Sequence, residues 1–158
     1  MKYDLQKAVK HVVHDYTYLV VAGTDTQKGL SHPFNHYAER TFLVHCRAIA
    51  KFFENGSDTR DMYAKDFLQT PITAKPTTWD LWRDHVDKHL AHLTIARVTN
   101  DATTKVVWTG APNKDFLREF RAIWQEFYKN LQPSLKPTFD AEIAVMQRQF
   151  PKVRLSDG

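Results

Sequence analysis

Residues 33–55, PFNHYAERTFLVHCRAIAKFFEN, constrain the fold more than any other part of the chain. This stretch carries side chains three or four residues apart that form one stripe, at Phe34, Ala38, Phe42, His45, Ile49 and Phe52. Such spacing is typical of one face of an amphipathic α-helix. Pro33 suits the first turn of a helix, and Gly56 follows the last apolar residue as a stop signal. The sequence therefore predicts a long central helix with its stripe, His45 included, facing the core.

Other segments with helical periodicity flank this central helix. The predicted helices run from a cap at Asp4 to near Gly23, from Thr77 or Thr78 to about Val98, from a cap at Asn113 to Asn130, and from Phe139 to Phe150. A short helical turn is expected within residues 61–68, and Lys105–Trp108 is read as either a short strand or an extended loop. We expect the central helix and the Thr78–Val98 helix to pack antiparallel.

The length and composition favour one all-α domain over residues 1–158, an antiparallel bundle of four to five helices with a frayed C-terminal end. Apolar residues make up 42% of the 158, which is enough for a real core. Cys46 is the only cysteine, which excludes an intrachain disulfide and a cysteine-based zinc cluster. The N-terminal residues lack the apolar core of a signal peptide, and no apolar run approaches the roughly 20 residues that span a bilayer. We therefore expect a cytoplasmic protein without a membrane partner.

Histidines occur in local groups that bear on metal binding. Eight are present, and their groups are His11 with His14, His32 with His36, and His85 with His89 and His92. Spacings of three and four bring imidazoles to one side of a helix, and imidazole is a common metal ligand. No HExxH motif accompanies them. The favoured interpretation is half-buried side chains hydrogen-bonded between helices, so we expect no metal and no cofactor; a His-ligated metal protein is the weaker alternative.

Arg40 and His45 form a second candidate constellation. Arginine is always charged and its guanidinium fits phosphate oxygens, while histidine exchanges a proton near neutral pH. The two residue types suffice for metal-independent RNA cleavage with the ribose 2'-hydroxyl as nucleophile. Five helical residues correspond to roughly 140°, so the pair converges only if the arginine stem wraps round or a second subunit completes the site. The structural alternative is a solvated Arg40 and a core His45 bonded to a facing hydroxyl or carbonyl.

Charge and the remaining reactive or aromatic side chains add limited information. The net charge of +4 is compatible with an anionic partner but is small. Cys46 lies next to His45, but adjacent helical residues point about 100° apart, which disfavours a Cys–His nucleophile. The four tryptophans are read as core or interface anchors rather than base-stacking platforms: Trp79, Trp82, Trp108 and Trp124.

Two segments, AERTFLVHCRAIAKFF and DKHLAHLTIAR, resemble the HEPN superfamily. This resemblance implies an antiparallel helical bundle, often a homodimer, of a kind found in toxin–antitoxin and defence systems. Active members are metal-independent ribonucleases that use an arginine, a gap of four to six residues and a histidine, which here are Arg40 and His45. Thr41 stands where active members often have Asn, Asp or His. The implied partners are RNA, a second copy of the chain and an antitoxin-type protein.

The basic residues around the two HEPN-like segments are the predicted substrate contacts. Arg47 and Lys51 continue the basic line of the central helix, and the second segment adds Lys88, His89 and His92. The rival hypothesis is a non-catalytic helical interaction module, a homodimer that keeps the bundle without the chemistry.

Overall fold

A computed structural model of the chain describes residues 3–31, 33–54, 56–81, 83 and 111–155. These ranges contain the helices α1 (Leu5–Asp25), α2 (Phe34–Phe53), α3 (Ala111–Lys129) and α4 (Lys136–Gln149), with short 3-10 turns at Thr26–Lys28 and Ala64–Asp66. Residues 77–81 are also helical. No β-strand occurs in the described ranges; Leu68 and Leu131 form an isolated bridge. The predicted all-α bundle is confirmed.

The helices α1 and α2 form an antiparallel pair. Gly23, near the end of α1, lies against the ring of Phe42 in the first half of α2. Asp15, in the middle of α1, lies against His45, further along α2. Residue numbers therefore rise along one helix as they fall along the other. His45 is consequently placed on the side of α2 that faces α1.

The helix α3 also runs antiparallel to α1. The ring of Tyr16 stacks on that of Trp124, with centroids 3.9 Å apart and planes inclined by 4°. Gly23, two turns further along α1, lies next to Leu117, which is nearly two turns earlier in α3. Both aromatic residues are buried. Trp124 is thus a core anchor, as predicted.

The helix α4 returns along α1 in the same direction. Thr138, in its first turn, donates a hydrogen bond to the side chain of Gln6 near the start of α1. Phe150, just after α4, contacts the ring of Tyr18 edge-on, with centroids 5.6 Å apart. In the described part of the bundle, α1 and α4 therefore point one way and α2 and α3 the other.

The core is dominated by phenylalanine rings from several elements. Ring pairs meet edge-on at centroid separations between 5.2 and 6.4 Å, for example Phe52 with Phe53 and Phe67 with Phe127. The four residues predicted to line one side of the fourth helix are all buried: Phe116, Phe120, Ile123 and Phe127. Tyr63 and Phe67 are buried as well, so the predicted turn in residues 61–68 pins this connection to the core.

Of the starts of α1, α3 and α4, the first agrees with the sequence and the other two differ. The Asp4 side chain accepts hydrogen bonds from the backbone N–H groups of Gln6 and Lys7, so the predicted cap of α1 is confirmed. Asn113 does not cap α3: it lies inside the helix and is 1% exposed. The helix α4 begins at Lys136, earlier than predicted, because proline is tolerated in a first turn.

The helix that begins at residue 77 has a cap supplied by another element. The carboxylate of Glu119 in α3 accepts a hydrogen bond from Thr77 Oγ1 at 2.7 Å. The same group accepts from the backbone N–H groups of Thr78 at 3.0 Å and Trp79 at 3.4 Å. A carboxylate at this position satisfies otherwise unpaired N–H groups and complements the positive end of the helix dipole. The predicted helix start is confirmed, and its cap comes from α3.

Several predictions fall outside the described residues. These are the third helix beyond residue 83, the strand or loop at Lys105–Trp108, the anchors Trp82 and Trp108, and the side chains of Lys88, His85, His89 and His92. Within the described ranges, no helix combines the length and the apolar character needed to cross a membrane.

Candidate functional site

His45 is a half-buried residue on the side of α2 that faces α1. Its side chain is 17% exposed, and its Nδ1 lies 3.2 Å from Oδ1 of Asp15 on α1. Nδ1 itself is enclosed, and its N–H direction is not in line with Oδ1. The contact is therefore an electrostatic pair at hydrogen-bonding distance but without good hydrogen-bond angles. Sequence reasoning expected a facing hydroxyl or carbonyl, whereas the structure supplies a carboxylate.

Two further α1 side chains complete what we call the His45 cluster, formed by His14, Asp15, Tyr18 and His45. Nδ1 of His14 lies 3.6 Å from the same Asp15 oxygen, with half of the His14 side chain exposed. The ring of Tyr18 stacks on that of His45, with centroids 5.5 Å apart and planes inclined by 26°. The His14 and Tyr18 rings are also in contact, at 4.5 Å. One aromatic face and one carboxylate thus hold the His45 imidazole.

The periodicity of α1 explains how these residues reach one place. His14 and Tyr18 are four residues apart and therefore lie on the same side of the helix. Asp15 follows His14 at the border of the buried face, next to the buried Tyr16. The sequence singled out His14 through its spacing from His11, but His11 is exposed and does not join the cluster. Asp15 and Tyr18 were missed as site residues, because their partner His45 lies 30 and 27 residues away in the chain.

The electrostatics of the cluster are visible at Asp15. Burial acts to raise the pKa of the Asp15 carboxyl, but the neighbouring imidazole of His45, and after it that of His14, lower the pKa by more. The resulting pKa lies below the ordinary value, so the carboxylate is the favoured form. A negative charge is therefore held beside the His45 ring over most of the pH range.

Arg40 occupies a different part of the α2 surface. Its side chain is exposed, and no described residue pairs with it. On the helix it lies roughly 140° from His45. The structure gives no contact between the two side chains, so their joint role in catalysis stays a prediction.

The other predicted substrate contacts are partly engaged with acidic neighbours. Arg47 and Lys51 are both exposed on α2. Lys51 Nζ lies 2.9 Å from Glu54 and 4.0 Å from Asp61. The hydrogen bond with Glu54 raises the Lys51 pKa. The charge of Lys51 is thus partly offset locally, which leaves Arg40 as the stronger candidate for an anionic partner. Lys88, His89 and His92 lie outside the described residues.

A small cavity of about 180 Å³ adjoins the His45 cluster. Asp15 forms part of its wall, together with Lys51 and Asp61. Its apolar lining comes from Val12, Ala48, Ile49, Phe52 and Met62. The carboxylate of Asp15 therefore has the His45 ring on one side and an open cavity on another.

The outward side of α2 carries a stripe of four exposed apolar residues and the half-buried Thr41, which we call the outer stripe: Phe34, Tyr37, Thr41, Val44 and Ala48. Three of these are large and exposed, at 64% for Phe34, 62% for Tyr37 and 51% for Val44. The prediction that Phe34 faces the core is wrong. Since Gly23 of α1 lies against Phe42, the first turns of α2 extend past the end of α1 at Asp25.

The outer stripe separates the two predicted catalytic residues. At 100° per residue, Arg40 and Arg47 fall on one side of Val44 and His45 falls on the other. A ligand that touches both Arg40 and His45 on one α2 must therefore cross the outer stripe. Exposed aromatic and basic side chains on one helix are compatible with stacking on unpaired bases and contact with phosphates.

The described residues do not support a cysteine nucleophile or a metal site. Cys46 is fully buried, and burial raises its thiol pKa well above the ordinary value, so the reactive thiolate is disfavoured. Among the residues that the structure describes, no group of three or more His, Cys, Asp or Glu side chains is arranged to hold a metal ion. The His85, His89 and His92 group is not among them.

Comparison with protein-family models, with curated proteins and with solved structures finds no match to this chain.

Proposed function

We propose that this protein is a HEPN-like helical bundle that binds RNA along α2 and cleaves it without a metal ion. The observation that carries the proposal is the pairing of His45 on α2 with Asp15 on α1 at 3.2 Å. The same helix α2 also presents an exposed Arg40. A histidine held by a carboxylate is the arrangement that general-base catalysis uses. The resemblance of the α2 sequence to HEPN proteins supports the same chemistry.

In the proposed reaction, the ribose 2'-hydroxyl is the nucleophile. His45 removes its proton, the 2'-oxygen forms a bond to phosphorus, and the bond from phosphorus to the 5'-oxygen breaks. The products are a 2',3'-cyclic phosphate and a 5'-hydroxyl end, the latter taking up a proton. Arg40 stabilises the negative charge that builds on the phosphate oxygens, a type of contribution that is often worth a few kcal/mol.

The position of the outer stripe suggests how one RNA strand reaches both residues. A strand that crosses α2 would stack bases on Phe34 or Tyr37 and place a phosphate near Arg40. Each stacked base typically contributes about 1–3 kcal/mol. The alternative arrangement is a homodimer in which Arg40 of one copy approaches His45 of the other. Both arrangements favour single-stranded RNA, because stacking on these side chains requires unpaired bases.

The test is cleavage of mixed single-stranded and structured RNA by purified protein in EDTA, with analysis of the product ends. His45→Ala and Arg40→Ala are each expected to reduce the cleavage rate about a hundredfold without loss of folding. The matched controls are His11→Ala and Arg118→Ala, which remove an exposed histidine on α1 and an exposed arginine on α3. Lys51→Ala is expected to act mainly on binding and its salt dependence.

Unchanged rates in both the His45 and the Arg40 variants would assign the cleavage to a contaminating nuclease. Equal losses in the control variants would show a general effect on folding rather than a catalytic site. Cyclic phosphate ends that persist in EDTA and disappear with His45→Ala are the result expected from the proposed mechanism.

A non-catalytic interaction module is the second candidate function, and the exposed outer stripe favours it. Large exposed apolar residues in one stripe are typical of surfaces that contact another protein. The occupant would be a second copy of the chain or an antitoxin-type protein. Sedimentation of the wild type against Tyr37→Glu tests the homodimer: a dimer that dissociates in the variant, with no RNA cleavage by either protein, would favour this candidate.

A further inference from the structure

The two nitrogens of the His45 ring have different surroundings. Nδ1 is enclosed and lies 3.2 Å from Oδ1 of Asp15. The side chain as a whole retains 17% exposure, and this exposure is not at Nδ1. Tyr18 covers one ring face by stacking. Access to the imidazole is thus restricted at Nδ1 and on the face that Tyr18 covers.

A carboxylate accepts hydrogen bonds and does not donate them, so it favours a hydrogen on the nitrogen that faces it. In neutral imidazole one nitrogen carries the hydrogen and the other has the free lone pair. We propose that Asp15 is a positioning residue that holds the neutral His45 with its hydrogen on Nδ1, which leaves the free lone pair on Nε2 and makes Nε2 the general base. This inference rests on the proposed function for its catalytic meaning, but it concerns the state of the His45 ring itself.

Asp15 is suited to this role although its contact with Nδ1 does not have good hydrogen-bond angles. Its side chain is 38% exposed and borders the cavity, so the carboxylate has room to turn toward Nδ1 when a substrate is bound. Catalytic hydrogen bonds are often poorly aligned before the substrate binds. His14 competes for the same oxygen, but at 3.6 Å and with half of its side chain exposed. The closer and more enclosed His45 has the stronger interaction.

The chain offers a matched control for this proposal. Asp61 is a second half-exposed aspartate that lines the same cavity, but the charged group beside it is Lys51, with Nζ at 4.0 Å. Asp15→Asn keeps the size of the side chain and replaces an oxygen by an amide that can donate to Nδ1. Asp61→Asn makes the same chemical change without altering the contact of His45.

The experiment is nitrogen NMR of the full chain, which distinguishes the two neutral tautomers of His45 by the shifts of the ring nitrogens. The His45 signals are assigned by their loss in His45→Gln. We expect the Nδ1–H form in the wild type and in Asp61→Asn, and a shift to the Nε2–H form in Asp15→Asn. If RNA is cleaved, Asp15→Asn is also expected to lower kcat by about tenfold or more at nearly unchanged KM.

A wild-type His45 in the Nε2–H form would overturn the proposal, as would an Asp15→Asn variant that keeps the Nδ1–H form. A tautomer that changes as expected in a protein that cleaves no RNA would support the role of Asp15 and remove the proposed function. If Asp15→Asn does not fold, the Asp15 titration in His45→Gln gives a second measurement by carbon NMR. There the pKa of Asp15 is expected to rise relative to the wild type, and an unchanged value would contradict the pairing.

Discussion

Replacement of Gly23 by alanine tests how closely α1 approaches its neighbours. Gly23 is buried inside α1, although the sequence suggested that the helix ends there. A methyl group at this position meets Phe42 Cε2 at 2.7 Å and Cδ2 at 3.0 Å. It also meets Leu117 Cδ1 at 3.4 Å. The substitution therefore places a new methyl group between α1, α2 and α3.

Two opposing effects set the expected magnitude. Alanine is favoured over glycine inside a helix by about 1 kcal/mol, and less near a helix end. Extra volume in a packed core costs about 1–3 kcal/mol, because side chains and backbone must shift. The ring of Phe42 is fully buried and has little room to move. We therefore expect Gly23→Ala to lower the free energy of unfolding by about 1 kcal/mol, which corresponds to a decrease of about 2–4 °C in Tm.

The assay is urea unfolding of four proteins: the wild type, Gly23→Ala, Phe42→Leu and the double variant. Leucine lacks the outer ring atoms that meet the new methyl group, so the clash is reduced in the Phe42→Leu background. The double variant is thus expected to be more stable than the sum of the single effects predicts, by about 1 kcal/mol or more. Stabilisation by Gly23→Ala alone, or strict additivity, would refute the close approach of α1 to Phe42.

Two further predictions concern Glu119 and Asp15. Glu119→Ala removes the cap of the helix that starts at residue 77 and is expected to lower the free energy of unfolding by about 1 kcal/mol, measured by thermal or urea unfolding. The control is Glu142→Ala, which removes a half-buried glutamate of α4 outside that cap and should lower the free energy of unfolding clearly less. The folded state lowers the pKa of Asp15, so its contribution to stability is present above the unfolded pKa of about 4 and is lost as the pH falls through the folded value. Asp15→Asn should therefore flatten the decline in stability on the acid side, and a decline equal to that of the wild type would contradict the pairing with His45.

The helices could be predicted from sequence because their periodicity and caps are local. The apolar spacing of α3 identified its buried side chains, and Asp4 identified the start of α1. The sequence signal was misleading where a residue type that is common at helix ends lies inside a helix instead. Asn113 has the chemistry of a cap but is buried inside α3, and Gly23 resembles a helix stop but allows close packing. Gly23 is set by contacts with Phe42 and Leu117 on other helices rather than by its neighbours in the chain.

The candidate site could be predicted only in part. His45 was identified because it is a polar residue in an apolar stripe, and Arg40 because of its spacing from His45. Asp15 was missed, because a single aspartate beside an apolar helix face has no local signal for a partner. Its role depends on the antiparallel register of α1 and α2, which is fixed by packing between the two helices.

The sequence by itself determined the all-α class, the main helices and the residues that form most of the core, because these follow from periodicity within each segment. Only the tertiary structure decided which faces are covered. Phe34 has the spacing of a core residue, yet it is exposed because α2 begins beyond the end of α1. The same register brings Asp15 to His45, since a contact across 30 residues depends on how helices pack and not on the order of residues within either one.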